Sequence, residues 1–201
     1  MKRKRTAVAV ALALASLAGT ADARITRIQI TSTSPAYGGA SIGVAGAYER
    51  VVGVAFGEVN PGARHNNVIV DVGLAPKNAR GNVEYSFDFY ILKPVDMSKS
   101  NGKVMYEPPN RGGKQYANFN RSTGGNDPAS SADPTNTFLG PKGYSMVWSG
   151  WDFSAGTNNA NFNSTMAFPV AKNPDGSSIT CLLYTSPSPR DRTRSRMPSS
   201  A

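Results

Sequence analysis

The chain holds a single cysteine, Cys181, and a single histidine, His65, among 201 residues. One cysteine closes no intramolecular disulfide, and one thiolate with one imidazole cannot make the tetrahedral ligand set of a zinc site. Only an all-oxygen metal site would remain open, so no metal or cofactor is expected. No G-x-S-x-G string occurs anywhere, so the sharp strand-to-helix turn that presents a nucleophilic serine is missing from these residues. Long apolar runs are missing too. The longest, Ala7–Gly19, has thirteen residues, short of the ~20 that span a bilayer. No stretch repeats at a fixed period.

The two ends differ from the middle. Lys2, Arg3, Lys4 and Arg5 precede the short apolar run, and Ala21-Asp22-Ala23 follows it with small residues at both positions a signal peptidase reads. Residues 1–23 therefore have the form of a bacterial secretory signal, with cleavage expected between Ala23 and Arg24. The protein is expected in the periplasm or outside the cell, with no membrane association after cleavage. At the other end, Cys181–Asp191 (CLLYTSPSPRD) and Ser195–Ala201 reverse-translate into two constant blocks that resemble transposase-end and adapter DNA from library preparation. The gap between them is the size of an index. Residues 181–201 are excluded from fold reasoning as an artefactual, disordered tail.

Of the formal charge of +9, the leader and the tail contribute +3 each, which leaves +3 for residues 24–180. The basic character thus lies mostly outside the domain, and no nucleic-acid partner is expected. These 157 residues are enough for one domain with a real core. Their Gly, Asn and Pro content predicts many turns and short elements. Ile25–Thr31 alternates imperfectly, Tyr48–Phe56 follows a glycine-rich turn, and Asn67–Leu74 sets Val68, Val70 and Val72 on one face. The clearest strand is Val83–Leu92. Val83, Tyr85, Phe87, Phe89 and Ile91 point one way, and Glu84, Ser86 and Asp88 the other, as in an antiparallel strand with one wet face. Residues 77–82 before it read as a hairpin connection. Gly102–Tyr106 and Gly143–Trp148 are two further strands, with one or two helical turns expected over Pro134–Gly140, and Met166–Val170 reads as one more short strand. A strand, a helical connection and a strand form a crossover unit, which makes this pair parallel. The expected class is α/β, a mixed sheet whose N-terminal strands are antiparallel and whose last described step is one parallel crossover.

Five stretches carry a resemblance: 34–61 (SPAYGGASIGVAGAYERVVGVAFGEVNP), 74–96 (LAPKNARGNVEYSFDFYILKPVD), 110–113 (NRGG), 143–152 (GYSMVWSGWD) and 169–180 (PVAKNPDGSSIT). Together they resemble secreted bacterial proteins known as "alpha/beta hydrolase domain" proteins, across essentially all of 24–180. The resemblance implies a mixed sheet flanked by helices and an esterase-type hydrolase acting on a small-molecule or ester substrate. It also implies that Asn110, Arg111, Gly112 and Gly113 form the loop that lends a backbone N–H to an oxyanion hole. Glycine suits that loop because a side chain would keep the substrate from the amide. In this family the serine, the acid and the histidine follow in that order, so all three are expected beyond residue 180. Residues 24–180 would then be an inactive N-terminal fragment. A non-catalytic, secreted β-rich binding module is the alternative from a different class.

Other candidates carry less. Ser149 sits at a strand end in WSGW but fails the elbow spacing. His65, in a polar loop, lacks a serine and a carboxylate around it. Glu84 and Asp88 share a strand face, which could suggest an acid/base pair, although a wet sheet face explains them. Asp152 ends a presumed parallel strand, where active-site loops gather in open α/β sheets, and is a candidate for a supporting polar role. The glycines of 37–43 lack the Gly-Lys-Ser/Thr ending of a phosphate loop. Oligomeric state is not legible.

Overall fold

Long alternation produces the frame of the molecule. In the computed structural model, which describes residues 23–155 and 162–179, β3 (Gly46–Val59) and β4 (Val83–Pro94) pair antiparallel along their full length, from Tyr48 opposite Pro94 to Val59 opposite Val83. Both strands are rich in the β-branched and aromatic residues that fit a pleated surface. β1 (Ala23–Pro35) pairs antiparallel with the outer edge of β3, and β2 (Ser41–Ile42) makes a short hairpin with the start of β3. On the other side of β4 lie β6 (Ser145–Ser149), antiparallel to it, and then β5 (Val104–Glu107), parallel to β6. The order is β1-β3-β4-β6-β5, and β7 (Met166–Ala167) continues the β6 lane by pairing with Ser86 and Phe87. The described residues therefore form a seven-stranded mixed sheet with one parallel pair, mostly β in content.

The irregular alternation of Ile25, Ile28 and Ile30 has a structural cause. Register shifts place Thr26 and Thr31 as extra residues against β3. A bulge restores Ile28 to the face that Ile25 occupies, and both threonine hydroxyls donate to β3 carbonyls, at 3.2 Å to Phe56 and 3.1 Å to Val52.

Two expectations are corrected. Asn67–Leu74 is not a strand: residues Arg64–Val68 and Val72–Leu74 are single 3-10 turns, and Val68 and Val70 lie exposed. Pro134–Gly140 does hold a helical turn, the 3-10 turn Pro134–Asn136, with a second, Gly140–Lys142, starting at its end; the helices expected to flank the sheet are the second expectation corrected. Each turn has a proline within its first two positions, where the missing amide costs nothing. The crossover also contains one short α-helix, α1 (Ala117–Asn120). Helices do not flank the sheet among the described residues.

The main core lies under this crossover. Tyr48 and Val52 of β3, Tyr90 and Leu92 of β4, and Met146 and Trp148 of β6 pack against Ile42, Ala45, Tyr116, Ala129 and Leu139. Trp148 is fully buried, with edge-to-face contacts to Tyr90 and Tyr116 at centroid distances of 5.5 and 5.3 Å. Tyr90 and Leu92 stand on the same side of β4 as Glu84 and Asp88. The side read as wet is thus the better covered one, and Asp88 itself is half-buried.

The opposite side has a smaller cluster, Val51, Ala55 and Phe89 with Phe87 and Ile91 against it. Pairing extends this apolar surface across the sheet. Ile28 and Ile30 lie opposite Ala55 and Gly53, Val147 lies opposite Ile91, and Tyr106 lies beside Val147. No described segment covers its outer parts, where Ile28, Ile30, Val104 and Tyr106 are exposed.

Candidate functional site

β5 and β6 run parallel, so their carboxyl ends and the turns that follow lie side by side, Glu107 next to Trp148. In open α/β sheets this is where ligands bind. The turn after β5 is Asn110–Gly113. Its ends exchange both backbone hydrogen bonds, Asn110 N–H to Gly113 O at 2.7 Å and Gly113 N–H to Asn110 O at 3.0 Å. Both central residues have positive φ, 49° at Arg111 and 88° at Gly112, as in the mirror-image two-residue turns of hairpins. Gly112 is needed twice: for this backbone, and because a Cβ would lie 2.7 Å from that of Ala155. Arg111 holds a conformation that disfavours residues with a Cβ.

Arg111, largely exposed, meets partners on residues 152–154. Its guanidinium donates to Asp152 Oδ2 at 3.3 Å and to Ser154 Oγ at 3.0 Å. Asp152 Oδ1 also accepts from the amide and hydroxyl of Ser154, both at 2.7 Å. The Ser154 bonds, with Arg111 beside them, hold the Asp152 carboxyl below its usual range. Trp151 Nε1 donates to Pro109 O at 2.5 Å, and Ser164 N–H to Gly112 O at 3.1 Å. The turn predicted at 110–113 and the strand-end candidate Asp152 are therefore brought together, Asp152 touching the turn through Arg111.

Two of the four amides in the 110–113 turn, those of Asn110 and Gly113, are committed to each other. Among the described residues no acceptor meets the Arg111 or Gly112 N–H, so these two are the donors the turn can offer a ligand. Ser149 Oγ lies 2.8 Å from Tyr106 Oη on the open side of the sheet. His65 is on an exposed turn beyond the end of β3. Ala23 and Arg24 form the first pairs of β1, opposite Val59 and Glu58. Residues 1–22 and 180–201, on which the leader and tail readings rest, lie outside the described residues.

Sequence reasoning missed the polar cluster beneath the turn. Lys114 is 6 % exposed, and its ammonium donates to Asn126 O at 3.0 Å and to Phe162 O at 2.5 Å. It also faces the rings of Tyr90 and Trp148, at 4.5 and 5.8 Å from their centroids. Burial pushes the ammonium down to about 8, against the opposing pull of Asp127 and Glu107. Asp127 accepts from Tyr90 Oη at 2.5 Å and Arg50 Nη1 at 2.8 Å, and Glu107 accepts from Trp148 Nε1 and the Gln115 amide, both at 2.6 Å. Burial and the Asp127 contact push the Tyr90 hydroxyl well above its usual range.

A second missed group is Glu58, 2 % exposed between Arg80 and Arg24, with Nη2 contacts of 2.6 and 2.7 Å. Hydrogen bonds from Arg80, Asn78 and Arg24 hold its carboxyl down to about 2. An acid inside the apolar run VVGVAFGEV was the only sequence signal for it. Among the described residues no group of three or more acidic, His or Cys side chains is placed to hold a metal, and no helix is long and apolar enough to cross a membrane. The chain matches no family model, no curated protein and no solved structure.

Proposed function

We propose that residues 24–180 are the opening part of a secreted α/β-hydrolase-type enzyme that cleaves an ester or related acyl bond of a small molecule, with its serine, acid and histidine supplied by later residues of the parent chain. One observation carries this reading: a glycine turn, two of whose backbone amides meet no acceptor among the described residues, stands at the carboxyl end of a parallel strand pair and is joined to the neighbouring strand end through Arg111 and Asp152. Paired amides in a fixed turn suit a developing oxyanion, because they need no reorganisation as charge forms. Of the four turn residues, Arg111 and Gly112 take this role. Asn110 and Gly113 close the turn, and Asp152 orients it through Arg111. The open apolar side of the sheet also supports a larger domain, since both sides of a sheet with parallel strands are ordinarily covered. By itself this stretch has no nucleophile and is expected to be inactive.

The test has two steps. Genomic DNA is read across codon 180 from primers outside that junction, and the continuing protein is assayed on p-nitrophenyl esters. An in-frame extension carrying G-x-S-x-G, then an acid and a histidine, with hydrolysis lost on replacing that serine, is the expected result. A stop shortly after Thr180, or a longer chain without these residues, overturns the reading.

A further inference from the structure

We propose that Lys114 is the positioning residue of the Asn110–Gly113 turn: from beneath, its ammonium ties the turn to residues 124–127 and 162–164 and so fixes the direction of the Arg111 and Gly112 amides. The proposal rests on the hydrolase reading for its use, but not for its geometry.

Three segments converge on this side chain. Lys114 directly follows the turn, and its own amide donates to Asn126 Oδ1 at 2.8 Å. Asn126 Nδ2 continues to Asn163 Oδ1 at 2.7 Å, and the adjacent Ser164 amide reaches back to Gly112 O at 3.1 Å. The ammonium joins the same two segments with its bonds to Asn126 O and Phe162 O. Among the described residues no carboxylate forms an ion pair with it. Asp127 is engaged by Arg50 and Tyr90, and Glu107 by Trp148 and the Gln115 amide. Two carbonyl dipoles and the ring faces of Tyr90 and Trp148 compensate the charge instead. The charged and titratable groups facing this cluster are Asp127 and Arg50, Glu107, Tyr90, Tyr116 and Tyr37.

A buried cation costs stability unless its hydrogen bonds are made. An apolar residue would fill the same space, so what the lysine adds is direction: two charge-assisted bonds to two different segments. The ammonium also loses its proton at mildly alkaline pH, since burial pushes it down to about 8. The grip on the turn weakens there.

The experiment uses the full secreted chain with Lys114→Met and Lys114→Arg, and reads amide exchange by NMR as protection factors from about pH 6.5 to 9.5. In Lys114→Met, protection of the Asn110 and Gly113 amides is expected to fall on the order of tenfold, the net worth of about one hydrogen bond. The β3–β4 amides keep their protection, which shows that the fold persists. Lys114→Arg restores the turn, and Trp148 emission follows a transition near pH 8 in the unmodified protein only. Unchanged protection at 110 and 113 in Lys114→Met, or an equal loss across β3 and β4, overturns the proposal. Ester hydrolysis is measured on the same samples. If exchange behaves as stated while the unmodified enzyme cleaves no ester, the function falls and the positioning role stands.

Discussion

Ile28 and Ile30 can report whether later residues complete this sheet. On its open side Ile25, Ile28, Ile30, Val104 and Tyr106 are 45, 66, 60, 62 and 56 % exposed. Full burial of such a side chain is worth about 1.5–3 kcal/mol, so five that remain about half exposed forgo on the order of 5 kcal/mol. A small domain has only about 5–15 kcal/mol of net stability, so this surface is large on that scale. It also adjoins β1, whose outer edge pairs with no described strand, a combination that favours association between chains. The perturbation is the double substitution Ile28→Thr and Ile30→Thr, which keeps β-branched residues in the strand and removes apolar surface. In residues 24–180 alone the pair should change stability by less than about 0.5 kcal/mol, while dye binding and association fall. If, as proposed, a longer chain covers this side, the same pair should cost roughly 2 kcal/mol or more there. Urea unfolding followed by tryptophan emission, with size-exclusion chromatography and hydrophobic-dye binding, reads both. A monomeric, dye-silent 24–180 that unfolds cooperatively would refute the liability. Equal neutrality in both chains would refute the covering.

Two further perturbations test the packing that places the site. A Cβ at Gly150 would lie 2.0 Å from Thr165 O and 2.4 Å from its carbonyl carbon, backbone atoms that no rotamer change can move aside. Gly150→Ala in the full chain should therefore cost roughly 2–3 kcal/mol, whereas Gly73→Ala, with open space around it, should stay within about 0.5 kcal/mol. Matching denaturation midpoints for the two would contradict this geometry. The carboxyl of Glu58 sits at about 2 in the folded state against an ordinary 4.5. A depressed carboxylate contributes stability that is complete above the ordinary value and is lost as pH falls toward the folded one. Unfolding midpoints between about pH 2 and 6 should drop more steeply for the unmodified protein than for Glu58→Gln, and parallel curves would show that the Arg80–Glu58–Arg24 cluster is not formed.

Much of the sheet was legible because its strands carry their signal locally. Tyr48–Phe56 and Val83–Leu92 lie in strands, Gly102–Tyr106 and Gly143–Trp148 each contain most of one, and the parallel pair follows from the long connection between the last two. Asn67–Leu74 carries the same alternation and forms none: it folds as 3-10 turns with Val68 and Val70 exposed, so alternation without burial makes no strand here. Alternation also chose the wrong side of β4. Its acidic positions end at Asp88, and beyond them Tyr90 and Leu92 on that side are as apolar as Phe89 and Ile91 on the other. Which side is covered is then settled by Trp148, Tyr116 and the crossover, all distant in sequence.

The candidate site divides in the same way. The turn at 110–113 was readable because paired glycines at a strand end are a local signal, and Asp152 because two parallel strands bring their ends together. The cluster beneath was not, since its members, Arg50, Tyr90, Glu107, Lys114, Asn126, Asp127, Trp148 and Phe162, come from separate stretches that share no periodicity. A lysine enters a core only when several segments deliver carbonyls and ring faces to one point. That condition lies in the packing of the chain and not in any window along it. The readable glycines therefore locate the turn, while the unreadable cluster determines how firmly its amides are aimed, which is the property that transition-state stabilisation depends on.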